Sequence, residues 1–215
     1  MKAVSLEKLL PGDVPAGEQI LWHGRPRFVA LARRAYRADF VAAYFAALTV
    51  WSAWYTASEG WAAAVVAATR TAGLGALALG LIAFLSYLSA RTTLYVVTSR
   101  RLVMKIGVAL PIFINVPFNE IASASLRVHS DGDGDIPVAL TSGRRIGYWI
   151  LWPHARPLRF ARPQPTLRCI GNAAEVAETL ARALNAAAGQ PQAAQRAAAP
   201  PAHGGAIAIV EQAPA

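Results

Sequence analysis

Charged residues are scarce in this sequence, and acidic residues are the scarcest of them. Only 15% of the 215 residues are charged, and 21 Lys and Arg against 12 Asp and Glu give a formal net charge of +9. Ordinary soluble domains carry roughly 25% charged residues. A hydrophobic fraction of 55% excludes a wholly disordered chain, because disorder requires low hydrophobicity. A basic chain with so few charges favours an anionic membrane surface over nucleic acid as its partner.

Cysteine is nearly absent as well. The single Cys169 excludes an intramolecular disulfide framework and a cysteine-based metal cluster. It falls in a predicted strand, where a small buried hydrophobe is its expected role. The four histidines are scattered, without the spacing that metal sites use. We therefore expect no metal and no cofactor.

The sequence also lacks catalytic motifs. It has no phosphate-binding glycine loop, nucleophile elbow or serine–histidine–aspartate pattern. The acidic run DGDGD at 131–135 is not a calcium loop, because Ile136 and Ser142 occupy the positions that need glycine and glutamate. We interpret this run as a hairpin turn, and we expect the protein not to be an enzyme.

Two stretches contain no ionisable residue at all, residues 40–58 and residues 71–90. As helices, each would be about 28–30 Å long, which matches a hydrocarbon core of about 30 Å. They predict a transmembrane hairpin over 39–91. A buried helix pair in a soluble protein is the less favoured alternative, since neither stretch has a polar face. Patterned sequence precedes the first span, so we expect no cleaved signal peptide.

Flanking charge predicts the orientation of the hairpin. Five arginines lie within residues 25–37, and three arginines and a lysine lie within 91–105. The connection at 59–70 holds only Glu59 and Arg70. The positive-inside rule therefore predicts that both termini lie in the cytoplasm and that the short connection lies outside. Hydroxyls are the main polar groups inside the spans, so transport is not expected.

Small residues recur at four-residue spacing along both spans. They are Ala42 and Ala46 in the first span and Ala72, Ala76 and Gly80 in the second. Such spacing lets helix backbones approach closely. The favoured interpretation is that the two helices pack on each other through these residues. The alternative is that they dock onto a transmembrane helix of a partner.

The segment before the hairpin combines a strand signal with a basic stretch. Residues 18–28 predict a strand that ends at a Gly–Pro turn. Residues 29–38 form a basic amphipathic stretch that can lie at the membrane interface. Its candidate contacts with anionic headgroups are Arg33, Arg34 and Arg37.

After the second span, short β-like runs separated by turns predict an antiparallel sandwich or partly open barrel. The predicted strands are 93–98, 101–106, 112–117, 121–128, 136–140, 145–153 and 167–170. A helix follows from Asn172, with Glu175 completing a capping box and an apolar stripe reaching Leu184. The Ala-, Gln- and Pro-rich tail at 186–215 predicts disorder.

The most unusual part of the predicted β domain is the basic and aromatic segment at 144–162. One interpretation is a core strand with a solvated basic rim. The other is a surface for protein docking or lipid contact, since Trp and Arg dominate interface hot spots. RNA-binding motifs are absent, so no nucleic-acid partner is expected. For His154 a structural hydrogen-bonding role is favoured. The candidate contact residues are Trp149, Trp152, His154, Arg156, Arg159 and Arg162.

Several segments resemble a known family. Three of them resemble bacterial pleckstrin-homology-like (PH-like) domains: ILWHGRP (20–26), LYVVTSRRLVMKIG (94–107) and PFNEIASASLR (117–127). Two more particular segments are similar to the PuhB family of photosynthetic complex assembly proteins of purple bacteria: LWPHARP (151–157) and RPQPTLRCI (162–170). The resemblance covers about residues 10–185.

Together with the residue patterns, this resemblance implies an α+β protein of the bacterial inner (intracytoplasmic) membrane. A two-helix transmembrane hairpin would be inserted in a cytoplasmic PH-like antiparallel β barrel or sandwich closed by a C-terminal helix. The chain then divides into an N-terminal segment (1–38), the hairpin (39–91), the β domain (92–185) and the tail (186–215). Phosphoinositide recognition is not implied, because PH-like folds often bind proteins instead.

The function implied by the resemblance is that of a non-enzymatic factor assisting assembly of the photosynthetic reaction centre and its light-harvesting antenna. Subunits of these complexes, and membrane lipids, would be its partners. Two alternatives stay open: a general PH-like scaffold or anionic-lipid-binding protein unrelated to photosynthesis, and a membrane enzyme with a buried acid–base pair in a cleft. A homo-oligomer also stays open.

Overall fold

A short strand, β1 (Ile20–Gly24), and a seven-residue helix, α1 (Phe28–Arg34), precede the hairpin. The computed structural model describes residues 17–108, 110–141, 146–157 and 159–198. Helix α1 buries Ala30 and Leu31 and carries Arg33 and Arg34 in its last turn. This two-sided helix matches the predicted basic amphipathic stretch.

The hairpin consists of α2 (Ala38–Thr56) and α3 (Trp61–Thr92), joined by a 3-10 turn (Ala57–Glu59) and Gly60. Gly60 has a φ of 115°, a conformation open mainly to glycine, which permits the tight reversal. The second helix begins at Trp61 rather than at residue 71. The intervening segment is rich in Ala, a strong helix former, and has no Gly or Pro to interrupt it.

Both helices are long and apolar enough to cross a membrane, judged by length and composition. In the most apolar stretch of α2, 0% of the residues are buried inside the structure, and in that of α3, 11%. The core helix of a soluble protein is mostly buried, and soluble proteins rarely leave so large an apolar surface uncovered. This exposure disfavours the alternative of a buried helix pair.

The first sheet contains β1, β2 (Leu94–Thr98), β3 (Arg101–Ile106) and β4 (Ile112–Pro117), in that order and antiparallel. Strand β2 begins almost directly after α3, and Leu94 pairs with Lys105 near the end of β3. The turn between β3 and β4 therefore lies beside the end of α3. The turn between β2 and β3 lies at the opposite end of the domain.

The second sheet contains β5 (Ile121–Ala124), β6 (Arg127–Val128), β7 (Gly134–Leu140) and β8 (Thr166–Ile170), with β7 pairing all three others. The predicted strand at 121–128 is divided into β5 and β6. Ser125 between them donates its N–H to Pro137 O. Because Pro137 has no N–H to return, the ladder is interrupted at this point.

The predicted strand at 145–153 is wrong. Residues 148–151 form a short helix, α4 (Tyr148–Leu151), while residues 142–145 lie outside the described residues. Within α4, Leu151 is buried and Trp149 and Ile150 are exposed. A short continuous apolar run does not distinguish a strand from a helix by its pattern, and here the fold selects the helix.

The last helix, α5 (Ala173–Ala198), starts where the sequence predicts and buries Val176 and Leu180 of the predicted stripe. The capping box is not formed as expected, because Asn172 has a left-handed φ of 52°, whereas N-cap residues are extended. The prediction of disorder is wrong for residues 186–198, which continue the helix because Ala favours it. Residues 199–215 of the tail, and residues 1–16, lie outside the described residues.

The main core lies between the two sheets and α5. Tyr95 of β2, Met104 of β3, Ile136 of β7 and Leu180 of α5 belong to one buried cluster. Helix α5 thus closes the β domain, which confirms the predicted α+β arrangement of antiparallel strands with a C-terminal helix.

Candidate functional site

Several polar contacts between distant parts of the chain meet at the junction between the hairpin and the β domain. Helix α1 is fixed to the second sheet by a hydrogen bond from Arg27 N–H to Cys169 O, 2.8 Å long. Leu31 packs against Cys169 in a small buried cluster. Burial raises the pKa of the Cys169 thiol to about 12. Cys169 is therefore the buried strand residue that the sequence predicts.

The acidic run at 131–135, which we call the acidic loop, binds the arginines of the α1 region. Asp133 lies 2.8 Å from Arg27 and is 3% exposed in its side chain. Asp131 lies 2.6 Å from Arg34, whose hydrogen bond lowers the pKa of the Asp131 carboxyl. The chain turns between β6 and β7 as predicted, although Gly134 and Asp135 of the run already belong to β7. The carboxylates of the loop also hold α1 against the β domain, since each ion pair joins the two.

The third carboxylate of the acidic loop, Asp135, faces the interior. It accepts a hydrogen bond from Cys169 N–H at 2.9 Å, and His129 Nε2 lies 3.3 Å away. Arg168, buried in β8, lies 4.0 Å from it and donates to Pro153 O and Arg34 O. One guanidinium thus connects the acidic loop, the end of α1 and the loop before β8.

Next to Arg168, His154 forms a buried hydrogen-bonded chain with Tyr95 and Thr93. His154 Nδ1 lies 2.6 Å from the Tyr95 hydroxyl, and His154 Nε2 lies 3.0 Å from the Thr93 hydroxyl. Tyr95 Oη also accepts the Arg168 N–H at 3.3 Å. If Tyr95 donates to Nδ1, the imidazole is neutral and Nε2–H donates to Thr93. Burial lowers the pKa of His154 to about 3, and the nearby Arg168 charge adds to this effect.

His154 is therefore not a surface contact. It is 1% exposed, so the candidate contact role is wrong and the structural role is the one observed. Three cavities among the described residues, of about 550, 340 and 290 Å³, are lined by other residues than His154 and Tyr95.

The residues next to His154 contact the end of the hairpin. The Trp152 ring packs edge-on against Tyr36 with centroids 5.2 Å apart, and the Tyr36 hydroxyl lies 2.8 Å from Ser89 Oγ of α3. Burial raises the pKa of Tyr36. We use the name Trp loop for residues 146–157, which include α4. This loop sits where α2 begins and α3 ends.

Of the six arginines predicted to be contacts, three have a polar partner among the described residues. Arg33 pairs with Asp39, Arg34 pairs with Asp131, and Arg156 donates to Gln164 at 2.9 Å. The pair with Asp131 holds Arg34, whose side chain is 22% exposed, against the acidic loop, and its contact with lipid stays a prediction. Three predicted contacts are exposed arginines outside these pairs: Arg37, Arg159 and Arg162.

The predicted aromatic contacts are exposed. Trp149 is 82% exposed on the outer face of α4, and Trp152 is partly covered by Tyr36. Phe160, which the candidate set did not include, is exposed and packs against Tyr148 with ring centroids 4.6 Å apart. Aromatic side chains exposed in this way form an apolar surface at the hairpin end of the β domain.

The predicted packing of the two helices through small residues is wrong for most of its members. Only Ala42 is half-buried, because helical periodicity turns a four-residue stripe slowly away from the neighbouring helix. The contact instead uses Gly75, where an added Cβ would lie 2.8 Å from Phe45 Cβ, while at Gly80 it would meet nothing within 4 Å. The outward-facing residues are Ala46, Ala72, Ala76 and Gly80.

Sequence reasoning missed the charged network at the junction. The available signal was composition: in a chain with 12 acidic residues, three lie within five positions, although their arginine partners in the α1 region are about 100 positions away. The buried Arg168 and its partners gave no such signal, because a basic residue in a strand is normally solvent-facing. Within the described part of the chain, no three His, Cys, Asp or Glu residues are grouped so as to hold a metal ion.

Known proteins resemble this chain over most of its length. The chain is 37% identical over 205 residues to the "uncharacterized 23.7 kDa protein in puhA 5'region" of Rhodobacter capsulatus, and the alignment covers 94% of each chain. A crystal structure of a DUF1696 family protein with a pleckstrin-homology domain from Shewanella loihica PV-4 aligns with a TM-score of 0.28 and 15% identity. That alignment covers 42% of this chain and 69% of the other, so the two structures are only distantly similar.

The family model described as "Bacterial PH domain" matches residues 29–184. The match includes the helical hairpin, both sheets from β2 onwards and the first part of α5. Strand β1 lies before the matched region and completes the first sheet by pairing with β2. The chain belongs to the bacterial PH domain family.

Proposed function

We propose that this protein is a membrane-anchored, non-enzymatic assembly factor for the photosynthetic reaction centre and its light-harvesting antenna. The single observation that carries the proposal is the relative in Rhodobacter capsulatus, which aligns over nearly the whole chain and is described by its position in the puhA 5' region, a photosynthesis region. Proteins that act on one complex are often encoded together, so position supports a shared role.

The anchoring part of the proposal is supported by the hairpin. Its two helices leave their apolar surfaces uncovered, and a bilayer is the solvent in which such helices are stable because all backbone groups are satisfied within the helix. The positive-inside rule places the β domain on the cytoplasmic side of a bacterial inner membrane, with both termini there. The β domain would then be held next to the membrane-embedded subunits during their assembly.

The non-enzymatic part is supported by the chemistry of the junction. The buried histidine is neutral and fully hydrogen-bonded, and its partners are structural groups of neighbouring strands. The ion pairs of the acidic loop connect segments of one chain. These groups hold the hairpin and the β domain together, which suits a rigid scaffold at which subunits meet.

The test is an in-frame deletion of the gene in its source organism, followed by absorption spectra of isolated membranes under photosynthetic growth conditions. We expect the reaction-centre and antenna absorption bands to fall, and a plasmid copy of the native gene to restore them. Normal bands in the deletion strain would contradict the proposal. Expression unlinked to photosynthetic growth, together with normal bands, would favour the general PH-like scaffold.

A further inference from the structure

Apolar side chains are exposed on two separate loops at the same end of the β domain. One is the β3–β4 turn, where Leu110 is 78% exposed and Val108 is also exposed. The other is the Trp loop, where Trp149, Ile150 and Trp152 are exposed. Neither loop needs these side chains for the core, because Ile106 and Leu151 supply the buried residues next to them. Their exposure therefore calls for another explanation.

The register of the first sheet places the β3–β4 turn at the hairpin end. Leu94 pairs with Lys105, and Ile106 pairs with Ile112 across the turn. Leu94 is separated from the last residue of α3, Thr92, by Thr93 alone. The turn that carries Leu110 therefore lies next to the point where α3 leaves the hairpin.

The Trp loop reaches the same level by independent contacts. His154 bonds to Thr93, the residue that joins α3 to β2. Trp152 packs on Tyr36, which precedes α2 and bonds to Ser89 near the end of α3. Both loops thus lie at the boundary between the hairpin and the domain, and their apolar side chains have a neighbouring apolar surface in the hairpin.

Charge and side-chain type identify the neighbour that these loops fit. Trp at the ends of membrane helices prefers the headgroup level, where its apolar ring and N–H are both satisfied. Exposed Arg159 and Arg162 flank Phe160 on the segment that follows, and each basic residue near an anionic surface contributes roughly 1 kcal/mol. A mixture of exposed aromatic and arginine side chains suits a lipid interface.

We propose that the β3–β4 turn and the Trp loop are immersed in the headgroup and upper acyl region of the bilayer that holds the hairpin. This inference rests on the proposed membrane insertion. The two loops act as additional contacts on either side of the α3–β2 connection. They fix the β domain against the membrane surface, so that it does not swing freely on the hairpin.

The experiment uses the full chain in lipid nanodiscs, with a fluorophore on one introduced cysteine at a time. The loop positions are L110C and W149C, the membrane reference is L81C, exposed on α3, and the distal control is R100C, exposed at the β2–β3 turn. Native Cys169 is buried and does not interfere. Lipids carrying a nitroxide at either a shallow or a deep acyl position quench fluorophores at the depth of the nitroxide, and iodide quenches those in water.

We expect the shallow nitroxide lipids to reduce emission at positions 110 and 149 to about half or less, since interfacial apolar groups are buried about 5–10 Å into the boundary between headgroups and acyl chains. Position 81, in the middle of the second span, is quenched by the deep nitroxide lipid, and position 100 is quenched by iodide alone. If positions 110 and 149 respond to iodide as position 100 does, while position 81 is quenched by lipid, the loops face water or a protein partner and the inference is overturned. If position 81 also faces water, membrane insertion itself fails.

Discussion

His154 Nε2 lies 3.0 Å from the hydroxyl of Thr93, the one residue between the long helix α3 and strand β2. The imidazole comes from the Trp loop, 61 positions further along the chain. A buried hydrogen bond between these two residues fixes the loop to the point where the hairpin enters the β domain. The orientation of the hairpin relative to the domain therefore depends on a neutral histidine.

The first prediction concerns the pH dependence of stability. Burial lowers the pKa of His154 to about 3 from its ordinary value near 6.5. Between these two pH values the unfolded chain binds a proton at His154 and the folded chain does not. Stability is complete above pH 6.5 and falls as the pH drops towards 3. The expected loss between pH 7 and pH 5 is about 2 kcal/mol. The measurement is the free energy of unfolding of the full chain in mixed detergent micelles.

The matched variant for this test is His154→Gln, which keeps hydrogen-bonding groups but does not titrate. Its free energy of unfolding is expected to be lower than that of the native chain at pH 7 but nearly constant from pH 7 to pH 5. If the native chain and the variant had the same pH dependence, the pKa of His154 would be the same in the folded and unfolded chain, against this account.

The second prediction compares two ion pairs of the acidic loop. Asp133 is almost fully buried, whereas Asp131 is half exposed. A double-mutant cycle on Arg27 and Asp133 should give a coupling energy above about 1 kcal/mol, because removal of Arg27 leaves a buried carboxylate without its partner. The same cycle on Arg34 and Asp131 should give less than about 1 kcal/mol. Equal coupling energies would mean that burial does not govern these pairs.

The third prediction concerns helix packing in the hairpin. In Gly75→Ala the new Cβ would lie 2.8 Å from Phe45 Cβ, so the helices must shift, at a cost of about 1–3 kcal/mol. In the matched control, Gly80→Ala, the Cβ meets nothing within 4 Å, and the change is neutral or stabilising because Ala favours helix. Unfolding in mixed micelles, followed by circular dichroism, measures both. A larger loss at Gly80 would place the helix contact on the other face.

The fourth prediction concerns the reactivity of the native thiol. Cys169 is fully buried and its pKa is raised to about 12, so the thiolate needed for reaction with maleimide is scarce at neutral pH. We expect no labelling of the folded native chain at pH 7 and full labelling after denaturation in SDS. Rapid labelling of the folded chain would show that β8 opens.

The elements with strong local signals could be predicted from the sequence, while those decided by tertiary contacts could not. Strand β3 was predicted with the observed bounds, since a turn and a clear apolar run define it. Helix α4 was predicted as a strand, because four apolar residues fit both forms and only the burial of Leu151 decides between them. The tail was predicted to be disordered although its alanines continue α5 to Ala198.

The site shows the same division. The exposed Trp149 and Trp152 could be predicted, because aromatic residues beside arginines are a visible pattern. The role of the acidic loop could not, since the ion pair of Asp133 joins residues 106 positions apart. The face of α3 that contacts α2 depends on how the two helices cross. The four-residue spacing therefore predicted Gly80 as the packing residue, whereas Gly75 contacts Phe45.

The central claim is that the hairpin spans a membrane with the β domain on the cytoplasmic side. The most direct measurement is labelling of E59C and R100C in intact and in permeabilised spheroplasts with a maleimide that does not cross membranes. Position 59 lies between the two helices, and position 100 lies at the distal end of the β domain. We predict labelling of position 59 in intact spheroplasts and of position 100 only after permeabilisation. Labelling of position 100 from outside, or recovery of the chain without membranes, would contradict the account.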